Sequence, residues 1–123
     1  MDNVDIVRRL FDAVEARDIA PMYEIYDEQV IVREAPSLPY GGEHRGHEGI
    51  LRHGMGYVEA WHLLQTEEDR NLDPEFFGAG DWVFVRWRQR AHADDGMELD
   101  LPVISAYRLR NGRVIESIMH HFD

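Results

Sequence analysis

The sequence predicts one α+β domain in which a small group of helices packs on a strongly curved, mostly antiparallel sheet. Three observations carry this: helical apolar spacing dominates the first half, period-two alternation dominates the second, and Asn111-Gly112 joins two alternating runs. A long sheet covered by helices on one face is expected to curl around them and leave an apolar pocket at the mouth between the layers.

Val4, Val7, Leu10, Phe11 and Val14 fall on one helical face, and Asp2 or Asn3 is placed to cap it. Ile19, Met22, Tyr23, Ile25 and Tyr26 give a second, shorter stripe, with Pro21 in its first turn. From Gln29 the period changes. Val30, Val32 and Glu34 share one side of a strand, and Ile31 and Arg33 the other. Residues 35 to 46, dense in Pro and Gly, read as a loop. The next helix, 47 to 61, presents Ile50, Gly54, Tyr57, Val58 and Trp61 on one face. Its glycines 49, 54 and 56 weaken it by about 1 kcal/mol each relative to Ala, so packing must hold it. Residues 62 to 70 read as an irregular strand, 71 to 80 as a turn region and 81 to 91 as the clearest strand. Residues 97 to 109 alternate, and the Asn-Gly turn leads into a last strand from Arg113 to Phe122. Pro102 cannot donate a ladder bond and is expected at an edge or a bulge. No repeat, linker or low-complexity tail divides residues 1 to 123, which read as a single domain.

With 44% hydrophobic and 11% aromatic residues, the composition is that of a folded domain able to bury a core and a small pocket. The chain has no cysteine, which removes disulfides, thiolate nucleophiles and Cys-rich zinc sites. All thirteen basic residues are arginine, so lysine Schiff-base chemistry is excluded. A net charge of -11 argues against nucleic-acid binding, and Arg86, Arg88 and Arg90 read as the wet or interfacial face of a strand. No apolar run approaches a membrane span and the first residues do not resemble a signal peptide, so no membrane association and a cytoplasmic location are expected.

Glu34 is the first candidate for chemistry. It continues the inward side of Val30 and Val32 as the strand runs out, where desolvation is expected to raise its pKa and make it an acid or base near neutrality. His120 and His121 are adjacent on the last strand and point to opposite faces of nearly equal apolarity, so one of them is expected to face the pocket. Ser105 and Tyr107 share the inner face of their strand, and Trp87 lies with Val83 and Val85 on theirs. With Tyr23 and Tyr57 from the helical stripes, they form the expected substrate-binding wall. Asp100 is expected to face outward unless Pro102 marks a bulge. His44 and His47 lie in and beside the glycine-rich loop, and His47 and His53 fall on different helix faces; no spacing reads as a metal site. The loop lacks both phosphate-binding glycine patterns, and no GxSxG elbow is present.

Taken together, AVEARDIAPMYEIYDEQVIV, REAPSLPYGGEHRGHEGI, GDWVFVRWRQR and LPVISAYRLRNGRVIESIMHHFD resemble the SnoaL-like branch of the nuclear transport factor 2-like superfamily over nearly the whole chain. The resemblance implies a cone-shaped, mixed but mostly antiparallel sheet with helices on its concave face, a deep apolar cavity and a homodimer. It further implies cofactor-free acid-base work on a small apolar organic molecule, of isomerase, cyclase, dehydratase or hydrolase type, with a non-catalytic ligand-binding or assembly role as the alternative. Glu34 matches the general-base aspartate of ketosteroid isomerases. Their oxyanion tyrosine falls near Leu10 and their second acidic donor near Ser105, departures that argue against steroid isomerisation. Similar cyclases use an acidic residue on the last strand, where this chain offers His120 or His121.

Overall fold

The first helix starts where the sequence supplies a cap. In the computed structural model, which describes residues 1–121, the Asp2 carboxylate accepts from the Asp5 N–H at 2.8 Å and opens α1 (Asn3–Ala16). α1 ends at Arg17, a left-handed residue at φ 56°, a position more often held by glycine. One turn, α2 (Met22–Ile25), leads directly into β1 (Tyr26–Glu34). β2 (Gly42–Arg45), α3 (Gly46–Trp61), β3 (Glu75–Ala79), β4 (Trp82–His92), β5 (Glu98–Arg110) and β6 (Arg113–His121) follow. Phe122, the expected end of the last strand, lies outside the described residues.

The six strands form one sheet in the order β2-β1-β6-β5-β4-β3, antiparallel except for the parallel pair β1–β6. The expected mixed, mostly antiparallel sheet with helices packed on it is present, but the strong curl and the cone with a concave helical face are not. The sheet stays open: β2 and β3 end it as separate edges that do not pair with each other. The physical reason lies in the long central strands. β4 and β5 pair without a register break from Trp82↔Arg108 to His92↔Glu98, so no bulge bends the sheet there.

Three local expectations also change. Residues 42–45 leave the loop to pair with β1, from Ile31↔Arg45 to Glu34↔Gly42. Residues 62–70 form two single 3-10 turns, His62–Leu64 and Glu68–Arg70, in place of a strand. The second turn is held by a reciprocal cap in which the Thr66 N–H donates to Asp69 Oδ2 at 3.0 Å and the Asp69 N–H to Thr66 Oγ at 3.1 Å. Part of the expected turn region, 75–79, pairs with β4 as an edge strand.

Pro102 sits opposite Arg88 in that continuous register, not at a bulge. The Arg88 N–H turns away from β5 to the Leu72 carbonyl at 2.9 Å, so the Arg88–Pro102 pair exchanges no ladder bond and proline loses nothing on that side. Pairing with β6 begins only at Val103↔His121, which makes Pro102 a local edge among the described residues. The bulge lies in β6. Arg108 pairs with Glu116 but Leu109 with Val114, leaving Ile115 as the extra residue. Val114, Ser117, Met119 and His121 consequently share the inner face, a set that no strict alternation connects.

The helices cover this inner face unevenly. α1 packs on β3 and β4, and α3 on β1 and β2. Phe11 anchors α1 by meeting the Phe76, Trp87 and Tyr107 rings edge-on at 5.6, 6.3 and 6.0 Å between centroids. α3 approaches closely because two of its glycines permit it. A Cβ at Gly49 would lie 2.7 Å from the His44 backbone, and one at Gly56 would lie 2.7 Å from the Tyr40 Cβ.

Candidate functional site

Between α1, α3 and the inner sheet face lies a cavity of about 490 Å³. Leu10, Phe11, Val14, Ile50, Trp87 and Met119 make most of it apolar, and its polar lining includes Glu34, His53, His121, Arg17 and Tyr57 together with Asp18, Glu59 and His62.

Glu34 ends β1 on the same face as the fully buried Val30 and Val32 and is itself only 6% exposed. His53 comes from α3 and His121 from the end of β6. The Glu34 Oε1 accepts from His121 Nε2 at 2.8 Å and from the Ala35 N–H at 3.1 Å, while Oε2 accepts from His53 Nε2 at 3.0 Å. Burial pushes the carboxyl pKa up, but these hydrogen bonds outweigh it and bring it down to about 2. The sequence expectation of a raised Glu34 pKa is therefore reversed, because donors converge on the carboxylate. At neutral pH Glu34 is an acceptor only. Each imidazole must then present Nε2–H to it, which leaves Nδ1 as the acceptor nitrogen of the neutral ring.

The rings around this cluster are fixed. Tyr40 packs edge-on against His53 at 5.6 Å, Trp87 against His121 at 6.4 Å, and the Trp61 indole N–H donates to the Tyr40 hydroxyl at 2.7 Å. His44 meets His53 edge-on and is locked in turn. It donates from Nε2 to the Tyr40 carbonyl at 2.8 Å, while its Nδ1 accepts from Arg52 Nε at 3.2 Å.

A second polar group is built around Tyr57, whose ring packs edge-on with Tyr40 at 5.7 Å. The Tyr57 hydroxyl donates to Gln89 Oε1 at 3.0 Å, and the Arg17 guanidinium lies 5.4 Å from the Tyr57 ring centroid. Arg17 Nη2 donates to Gln65 Oε1. Arg17 Nη1 and Gln89 Nε2 are buried without a partner among the described residues.

A family model described as the SnoaL-like domain matches residues 7–117. The chain belongs to the SnoaL-like family. Solved structures, several of them described as nuclear transport factor 2-like, match its fold over almost the whole chain. One, of unknown function from Burkholderia pseudomallei, is 22% identical with a TM-score of 0.81 over 99% of this chain and 92% of its own. TerC, crystallised with polyporic acid, is 18% identical with a TM-score of 0.80 over 98% and 91%. A candidate polyketide cyclase from Sinorhizobium meliloti is 20% identical with a TM-score of 0.74 over 94% of each chain. At these identities the likeness establishes the fold. No curated protein matches the chain.

Within this SnoaL-like domain, the sequence-selected residues separate into two groups. Glu34, His121, Tyr57, Trp87 and Tyr107 line the cavity. His120 does not; it is exposed on the opposite face, across from Ile104, because the β6 bulge turns His121 inward. Tyr23 stands off the cavity, its ring edge-on to His47 at 5.3 Å, and His47 donates to the Tyr26 carbonyl at 2.9 Å. Ser105 is fully buried behind the wall, where its Oγ accepts from the Trp87 indole N–H at 2.9 Å. Asp100 is exposed on the outer face and accepts from Arg88 Nε at 2.7 Å. Leu10, at the place of the isomerase tyrosine, brings no hydroxyl to the cavity.

Sequence reasoning missed His53, Tyr40 and Arg17, which line the cavity, and Gln89, which holds the Tyr57 hydroxyl from behind it. His53 had a signal: it lies three residues after Ile50 and four before Tyr57, on the helical face those two define. Gln89 continues the inward run Val83, Val85, Trp87 at period two. Tyr40 sits in an irregular loop, where no periodicity exists to place it. Among the described residues no group of three or more His, Cys, Asp or Glu is arranged to hold a metal ion, and no helix is long and apolar enough to cross a membrane.

Proposed function

We propose that the cavity is the active site of a cofactor-independent acid-base enzyme, of isomerase, cyclase, dehydratase or hydrolase type, acting on a small, largely apolar organic molecule. The observation that carries this reading is one buried carboxylate accepting from two imidazoles, His53 and His121, on the wall of an otherwise apolar cavity. Glu34 serves as the orienting group. It fixes both rings with Nε2–H toward itself and stabilises the imidazolium that forms when either ring accepts a proton. In an isomerase or cyclase step, one Nδ1 takes a proton from the carbon beside a carbonyl; the C–H electron pair becomes the C=C bond of an enolate as the carbonyl π pair moves onto oxygen. Tyr107, whose hydroxyl burial keeps protonated, stands on the same wall as a donor for that oxygen. In an isomerase the proton returns to another carbon of a conjugated enolate; in a cyclase the enolate carbon attacks a second carbonyl carbon of the same molecule, and the alkoxide that results takes the proton from the imidazolium. The family membership and the two relatives named for polyporic acid and polyketide cyclisation support a small organic ligand.

Deuterium exchange tests this without the natural substrate. With 2-tetralone in D2O, the protein is expected to speed exchange of the protons beside the carbonyl, and His121→Ala or Glu34→Gln to slow it about 100-fold or more. If saturation-transfer NMR detects bound tetralone but the wild type exchanges no faster than Glu34→Gln, the ligand-binding alternative replaces the enzymatic one.

The reading extends to a homodimer joined through the outer sheet face. There Trp82 and Phe84 stack at 6.1 Å, and Phe77, opposite Phe84, is 55% exposed. Sedimentation is expected to give twice the 14.4 kDa chain mass; a monomer at micromolar concentration contradicts it.

A further inference from the structure

We infer that the cavity ligand carries a flexible apolar chain, which leaves the cavity past Gly54 and lies against Leu51, Met55 and Val58 of α3. The substrate class is then a carbonyl compound with an alkyl or isoprenoid tail. The inference rests on the cavity being the ligand site.

The three glycines inside α3 differ in what requires them. Gly49 and Gly56 permit close approach, since a Cβ on either would lie 2.7 Å from a neighbouring atom. Gly54 has no such reason. It is helical without a left-handed φ, and a Cβ there would meet only Ile19 Cδ1, at an ordinary 3.8 Å. Alanine would fit and would favour the helix by about 1 kcal/mol. What Gly54 provides is space: it lines the cavity, and its missing side chain leaves a gap facing Ile19.

The residues beside that gap are apolar and reach solvent. Leu51, Met55 and Val58 recur at i, i+4 and i+7 and form one stripe along α3. All three line the cavity, yet they are 39%, 63% and 37% exposed. Ile19 and Met22 line it from the corner between α1 and α2. An apolar stripe that carries a cavity wall out into water is covered most simply by a ligand that itself continues outward. Met22 and Met55 supply adaptable side chains for a flexible chain. The exposed Asp18 and Glu59 line the same cavity against the single cation Arg17, so a tail ending in an acid is disfavoured and the chain is neutral.

Displacement of 1-aminoanthracene from the full chain by 4′-ethylacetophenone and 4′-octylacetophenone tests this, because the two ketones share a head and differ only in chain length. The octyl ketone is expected to bind at least about 50-fold more tightly. Met55→Glu, at an exposed helical position, is expected to cut that ratio about 10-fold or more, and Gly54→Leu, which fills the gap, to remove it. Met55→Glu decides the matter if Gly54→Leu does not fold. A wild-type ratio below about 5-fold, or a ratio unchanged in either variant, overturns the inference and leaves the cavity as the ligand site. An unchanged ratio with a lower sedimentation mass in Met55→Glu also overturns it and assigns the stripe to a subunit contact. Failure of both ketones and of 1-aminoanthracene to bind overturns the cavity reading along with it.

Discussion

The two polar groups beside the cavity are built on opposite principles, although a single tyrosine ring separates them. Around Glu34, both carboxylate oxygens are engaged by His53, His121 and the Ala35 N–H. Around Tyr57, Arg17 Nη1 and Gln89 Nε2 are buried and unpaired. A satisfied buried network holds geometry, whereas unpaired buried donors cost stability. The first group is suited to hold catalytic rings at fixed angles, whereas the second leaves two donors sealed without acceptors.

The largest effect should come from breaking the satisfied group. Glu34→Gln presents an amide NH₂ where one imidazole N–H needs an acceptor, and urea unfolding at pH 7 is expected to show a loss of about 3 kcal/mol. A loss below about 1 kcal/mol would mean that the carboxylate is not the centre of the cluster. The same contact sets a pH dependence of similar size. Glu34 falls from its ordinary 4.5 to about 2 on folding, so its contribution is fully present above about 4.5 and disappears as pH falls through about 2. Wild type should lose about 3 kcal/mol over that window relative to Glu34→Gln.

Gly56→Ala probes the ring between the groups. Its new methyl would lie 2.7 Å from the Tyr40 Cβ, and displacing Tyr40 is expected to cost about 1–3 kcal/mol and to disturb His53 and Tyr57 NMR resonances together. Resonance shifts on only one side would show that Tyr40 does not couple them.

What the sequence made legible follows from periodicity. The inward face of β1 placed Glu34, and the inward face of β4 placed Trp87, because those strands alternate without interruption through these residues. The β6 bulge broke the rule at Ile115, which is why sequence alone left His120 and His121 equivalent. The sheet's openness was not legible, since closure depends on whether the short edge strands meet. The Glu34 pKa was misjudged because burial is visible in a pattern, while the donors that counter it come from a helix and a strand distant in sequence.

Altering the unsatisfied group should matter much less for stability. Arg17→Met is expected to stay within about 1 kcal/mol of wild type, since it removes an unpaired buried donor along with the Gln65 contact. A loss near that of Glu34→Gln would erase the contrast between the two groups. His120→Ala, on the exposed face, should change both melting and exchange rate negligibly, within about 0.5 kcal/mol.

The most direct test is the tautomer of the two histidines, read by ¹⁵N–¹H long-range correlation in the neutral rings. Protons on Nε2 of both His53 and His121, with Nδ1 bare, are the expected result and are lost together in Glu34→Gln. A proton on Nδ1 of either ring would contradict a Glu34 carboxylate orienting both.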